Sequence, residues 1–121
     1  MRKTVITATI LLASITCCHG QTIPEVRAEI ARQRLPHPEI VLAQARLETG
    51  NFKSRRCRVD RNIFGIKHNG KYAKYRRWQD CVADYKRRIS SRYSGGDYYQ
   101  FLRRIKYAAD EMYIRKLKQF K

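Results

Sequence analysis

Apolar positions fall into blocks of different period along this chain. Val26, Ile30 and Leu35 recur at helical spacing between Ile23 and Leu35, with Pro24 suited to a first turn, which predicts an amphipathic surface helix. Leu35-Pro36-His37-Pro38 breaks that helix, because neither proline can continue one from its interior, and Pro38 then suits the first turn of the next. His37, within the breaker, is expected to be a structural or solvent-facing histidine and not a base. The run Ile40-Val41-Leu42-Ala43-Gln44-Ala45-Arg46-Leu47-Glu48 is apolar nearly all the way round. Such a helix leaves no face for water and belongs in the middle of a fold. It ends on Glu48, with Thr49 and Gly50 as a C-terminal stop.

The stretch from Asn51 to Arg61 has no convincing period and reads as an irregular loop pinned by Phe52, Cys57 and Val59. A short apolar run, Asn62-Ile63-Phe64-Gly65-Ile66-Lys67, follows, and then Asn69-Gly70 between β-favouring residues. Both members of that pair tolerate the positive φ of a tight turn, so a two-stranded ribbon is predicted there. Trp78 to Tyr93 returns to helix, with Cys81, Val82, Tyr85 and Ile89 on one stripe and Lys86, Arg87 and Arg88 on the other side. Ser94-Gly95-Gly96 ends it; Asp97 caps a further helix whose inward residues are Tyr98, Phe101, Leu102 and Ile105. A last helix is expected from about Asp110 to Phe120, with Asp110 as its cap and Tyr113, Leu117 and Phe120 inward. No internal repeat interrupts this order. The sum is an α+β domain, mainly α, with a small β-hairpin inserted between helices.

Composition changes the picture at the N-terminus. Met1-Arg2-Lys3 and the apolar residues from Val5 to Ile15, followed by Cys17, Cys18, His19 and Gly20, have the form of an export signal too short to span a bilayer. Cleavage after Gly20 would leave a domain of residues 21 to 121; lipid anchoring at Cys17 or Cys18 is the less favoured route, because Thr16 or Cys17 is a poor small-residue match before a modified cysteine. Of 27 basic and 10 acidic residues in the whole chain, the signal takes Arg2 and Lys3 and no acid, so the remainder carries a formal +15. That charge favours adhesion to polyanions, and export makes anionic wall polymers or lipid a better fit than nucleic acid, for which no recognition motif is present. Outside the signal only Cys57 and Cys81 remain, an expected disulfide in an oxidising compartment worth about 3 to 4 kcal/mol. Two cysteines and scattered histidines offer too few ligands for zinc, and neither metal nor cofactor is expected.

An acid delivered by a buried helix to the edge of a core is a candidate catalytic group. Here that acid is Glu48. Gln44-Ala45-Arg46-Leu47-Glu48-Thr49-Gly50 with Phe52 and Ser54, the Asn62 to Lys67 segment, Tyr75 and Trp78 before Val82-Ala83-Asp84-Tyr85, and Tyr107-Ala108-Ala109-Asp110 with Tyr113 and Leu117, together resemble the glucosaminidase domain family. This is glycoside hydrolase family seventy-three, which includes flagellar peptidoglycan hydrolases and autolysins. The resemblance spans about Pro36 to Lys118, and the order and spacing of its motifs carry it more than any one of them.

The resemblance implies a lysozyme-like fold and an enzyme cleaving the β-1,4 bond between N-acetylglucosamine and N-acetylmuramic acid in peptidoglycan strands, and the chain is expected to be a monomer. Glu48 then matches the family's catalytic glutamate, protonating the leaving oxygen. Tyr107 and Tyr113 match tyrosines near the family's active site, and Phe64 and Gly65 match a segment lining the cleft floor; Tyr72, on the ribbon, is taken as a further substrate-binding residue. Many members of the family present a second carboxylate from the β-lobe. Here no Asp or Glu occurs between Asp60 and Asp80, leaving Asp60 as the nearest candidate. A weak base, the substrate's own acetamido group, or poor catalysis remain open, as do a silent wall-binding module and a basic polyanion-binding protein.

Overall fold

The computed structural model describes residues 21–120, so the expected export signal and the cysteines within it lie outside the described residues. Helix α1, Ile23–Arg32, begins at a Thr22 cap whose side chain accepts from the Glu25 backbone while Glu25 reaches back to Thr22. Val26 and Ile30 are its buried residues. The helix stops three residues before Leu35 because Arg34 turns left-handed, φ 59°, yet the Leu35 side chain still enters the core.

Helix α2, Pro38–Thr49, is the central element. Val41, Leu42, Ala43, Gln44, Ala45 and Thr49 are buried in it, and it packs against α1 and against the last helix. Gly50 ends it at φ 59°, and Asn51 and Phe52 continue in the same left-handed region. Thr49 holds this unusual turn. Its hydroxyl donates to the Ala45 carbonyl at 2.7 Å and accepts from the Phe52 backbone at 2.7 Å.

The stretch expected to be irregular instead contains a short helix α3, Arg55–Asp60, nucleated by Ser54, whose side chain accepts from Cys57 N at 3.1 Å. Only Cys57 is buried in it, which is why no apolar stripe announced it. The ribbon pairs Lys67 with Tyr72 and His68 with Lys71, across the Asn69-Gly70 turn with φ of 54° and 79°. Its strands, β1 at Lys67–His68 and β2 at Lys71–Tyr72, are shorter than the sequence pattern implied. Asn62, almost fully buried, ties the base of the ribbon together: its amide donates to the carbonyls of Ile66 and Ala73, both at 2.9 Å, and accepts from Ile66 N at 3.1 Å.

Helix α4, Trp78–Arg88, runs on into a 3-10 turn at Ser90–Arg92; α5 spans Tyr98–Arg104 and α6 spans Tyr113–Leu117. Asp97 caps α5 as expected, accepting from Tyr99 N at 2.8 Å. The last helix is shorter than predicted, and Asp110 serves the turn before it, accepting from Met112 N at 2.9 Å. Helices from every part of residues 21–120 share one core, which includes Ile63, Phe64, Tyr85, Phe101 and Leu102. This mainly helical arrangement with one antiparallel hairpin is the α+β class that the pattern predicts, in the lysozyme-like form that the resemblance implies. No helix among the described residues is long and apolar enough to cross a membrane.

The expected Cys57–Cys81 bridge is not formed. Both thiols are free and buried, and they engage different partners. Cys57 Sγ donates to Gln21 Oε1 at 3.1 Å, whereas Cys81 Sγ points to Asn62 Oδ1 at 3.6 Å, beneath the ribbon. Burial pushes Cys57 up to about 11 and Cys81 up to about 12, so both stay protonated at neutral pH.

Candidate active site

Glu48 lies one turn beyond Gln44 on the same side of α2, since residues four apart stack on a helix face. Gln44 is fully buried. Its amide donates to the Tyr113 hydroxyl at 3.2 Å, and its carbonyl oxygen accepts from the Tyr85 hydroxyl. Because that contact uses the single proton of Tyr85, the 2.8 Å contact between Tyr85 and Tyr98 must be donated by Tyr98. A chain of three hydroxyls and one amide therefore fixes α2 from behind. It leaves Glu48, a turn later, at the edge of the core.

Glu48 opens onto a cleft of about 560 Å³, bordered by Gly65, Lys67, Tyr72, Arg88, Arg92 and Tyr107. The side chain retains exposed area because it faces this cleft, yet the surrounding atoms still deprive its charge of water. Burial raises its pKa, and the Lys67 ammonium opposes the shift without cancelling it. Gly65 is the nearest wall. At φ +66°, a Cβ added there would sit 3.0 Å from Glu48 Oε2 and 3.3 Å from its carboxyl carbon. Only a glycine permits both this backbone angle and this approach.

The segment carrying Gly65 is held on two sides, by Asn62 below and by Tyr107, whose hydroxyl donates to the Phe64 carbonyl at 2.8 Å. The Tyr107 hydroxyl is buried, and desolvation, then the neighbouring Tyr113 and Glu48, push its pKa well above the usual range. It remains a neutral donor. Tyr113 stacks on Tyr107 with ring centres 5.6 Å apart, but its own hydroxyl is taken by Gln44.

The sequence-expected residues thus separate into two sets. Glu48, Gly65, Tyr72 and Tyr107 share the cleft. The Phe64 ring is buried in the core, 4.4 Å from the Tyr85 ring, and only its backbone carbonyl serves the site. Tyr113 is buried behind Tyr107 and borders a neighbouring hollow. Asp60 faces a separate recess with Arg55, Arg56 and Lys74. Tyr85 and Tyr98 are core, and His37 is exposed with its Nε2 2.8 Å from the Tyr93 hydroxyl, both as the pattern predicts.

The family model described as mannosyl-glycoprotein endo-β-N-acetylglucosaminidase, the glucosaminidase family, matches residues 24–120. The chain belongs to this family. Membership makes it a glycoside hydrolase, and in such enzymes a carboxyl kept protonated by its surroundings is the group that can donate to a leaving sugar oxygen. Among solved structures, the catalytic domain of the autolysin Auto from Listeria monocytogenes shares the fold of this glucosaminidase-family chain. It is 21% identical with a TM-score of 0.61, and the likeness covers 98% of this chain and 94% of that one. Nothing among the curated proteins matches the chain.

One functional residue escaped the sequence reading. Asp84 is almost wholly buried in the glucosaminidase-family domain, and its carboxylate accepts from the Tyr75 hydroxyl at 2.6 Å, from Arg88 Nε at 2.8 Å and from Arg87, with His68 Nε2 3.2 Å away. Burial pushes its pKa up, but the Tyr75 and Arg88 hydrogen bonds and the two arginine charges outweigh this and hold it below the ordinary range. A permanent anion here joins the ribbon to the helix that supplies Arg88 to the cleft. The available signal was the spacing of Asp84 with Arg87 and Arg88, three and four residues on.

Proposed function

We propose that this protein hydrolyses the β-1,4 bond between N-acetylglucosamine and N-acetylmuramic acid in peptidoglycan, with Glu48 as general acid. The observation that carries this reading is the Glu48 carboxyl, raised in pKa by burial and set against the Gly65 backbone in an open cleft. The autolysin domain that shares the fold supports the choice of wall glycan, and the export-type N-terminus supports action outside the cell.

Protonated Glu48 gives its proton to the glycosidic oxygen as the bond to the sugar carbon breaks. Asp60 borders another recess, so it is left out of the proposed step. The acetamido oxygen of the cleaved N-acetylglucosamine attacks that carbon instead, and water then opens the cyclic intermediate with ionised Glu48 accepting its proton. Gly65 and Tyr72 contact the strand, Tyr107 positions the Phe64–Gly65 backbone, and Phe64 and Tyr113 act from behind. Mass analysis of peptidoglycan digested by residues 21 to 121 tests the reading. New reducing ends on N-acetylglucosamine are expected; new ends on N-acetylmuramic acid, or none, would overturn it.

A further inference from the structure

Three cations border the cleft that holds Glu48: Lys67, Arg88 and Arg92. A neutral sugar strand gives no reason for them. Like charges crowded at one site repel, and aromatic and uncharged polar groups suffice to bind carbohydrate hydroxyls. Arg88 is also fixed in place. Buried Asp84 takes its Nε at 2.8 Å, and among the described residues its two terminal nitrogens have no partner. Arg92 stands one turn further along, exposed, with no side-chain partner among the described residues. Lys67 lies 4.8 Å from the centre of the Tyr72 ring, so its ammonium is steered along the same wall. Holding an arginine by Nε while freeing its outer edge is the arrangement that receives a carboxylate.

We infer that Arg88, Arg92 and Lys67 form a carboxylate-binding subsite that reads the lactyl arm of the strand beside the scissile bond. The carboxylate comes either from the acidic residues of a peptide stem or, on an arm without a stem, from the lactyl acid itself. This rests on the peptidoglycan reading above and adds to it a preference: the enzyme selects strands whose arms carry free acid. Asp84 is a positioning residue in this arrangement, acting through Arg88.

The test compares three preparations of one peptidoglycan at near-physiological salt: stem-bearing strands, the same strands with every carboxylate converted chemically to an amide, and strands freed of stems. Amidation is expected to lower kcat/KM about tenfold or more, the scale of a charge-assisted hydrogen bond. Arg92→Gln is expected to abolish most of that discrimination and Arg92→Lys to restore part of it. Arg34→Gln, which removes an exposed charge bordering a different recess, should leave discrimination intact and so separates a subsite from bulk charge. Stem-freed strands that bind as well as stem-bearing ones assign the contact to the lactyl acid; weaker binding assigns it to the stem.

Cosedimentation of the Glu48→Gln protein with the same strands reads the contact without turnover. Hydrolysis with equal rates on acid and amidated strands overturns the subsite alone. Discrimination in binding without hydrolysis by the unmutated protein supports the subsite and overturns the hydrolytic reading. Discrimination unchanged in Arg92→Gln overturns the assignment to these side chains.

Discussion

At the scale of single residues, the site depends on one close approach, that of the Gly65 backbone to the Glu48 carboxyl. Gly65→Ala meets a left-handed backbone angle and a 3.0 Å contact at once, so it should cost about 1–2 kcal/mol in urea denaturation and lower turnover at least tenfold. Gly70→Ala supplies the control: its φ of +79° is strained in the same way, but nothing lies within 4 Å of the added carbon. It should lose stability and keep most turnover. The pH behaviour follows from the same pair. The pKa of Glu48 is raised in the folded chain, so the stability tied to its protonated form is fully present below the unfolded value and is lost as pH rises through the folded one. Denaturation across that range should show Glu48→Gln gaining on the unmutated protein as pH increases, and kcat/KM of the unmutated protein should fall along the same limb. Glu48→Gln losing ground to the unmutated protein as pH rises would contradict the burial argument.

At the scale of elements, two supports converge on the 62–66 segment: the Asn62 side chain and the Tyr107 hydroxyl. Asn62→Ala strips a buried donor and a buried acceptor of their partner and should destabilise the fold by about 1–3 kcal/mol while lowering turnover, because the Gly65 wall loosens. Unchanged turnover with reduced stability would separate the ribbon from the site. Which elements were legible in sequence follows from what fixes each. The central helix and its stop came from composition and Gly50, and the hairpin from Asn69-Gly70, because those are local preferences. Helix α3 was hidden because a single buried cysteine makes no stripe. Asn62 and Gln44 were quoted within motifs but not as hubs, since their partners lie far along the chain, Ala73 for one and Tyr113 for the other. Asp84 was quoted in a motif without a role for a different reason. A polar residue on a helix stripe reads as solvent-facing until the arginines and the tyrosine that surround it are known to converge.

At the scale of the whole molecule, the fold is held by one shared core without a cross-link among the described residues. Two thiols per copy of residues 21 to 121 should therefore appear in denaturant, with slow reaction in the native state because both groups are buried and protonated. A thiol assay that finds none would restore the bridge. In the proposed function the strongly basic composition and the cleft would act together, the first holding the protein on an anionic wall and the second bringing Glu48 to the bond. Everything in that account passes through one carboxyl, which makes its replacement the most direct measurement. Glu48→Gln, checked for an unchanged fold, should bind insoluble peptidoglycan as the unmutated protein does and release reducing ends at least a thousandfold more slowly, on the order of a general acid's contribution. Equal release of reducing ends by the two proteins would contradict it.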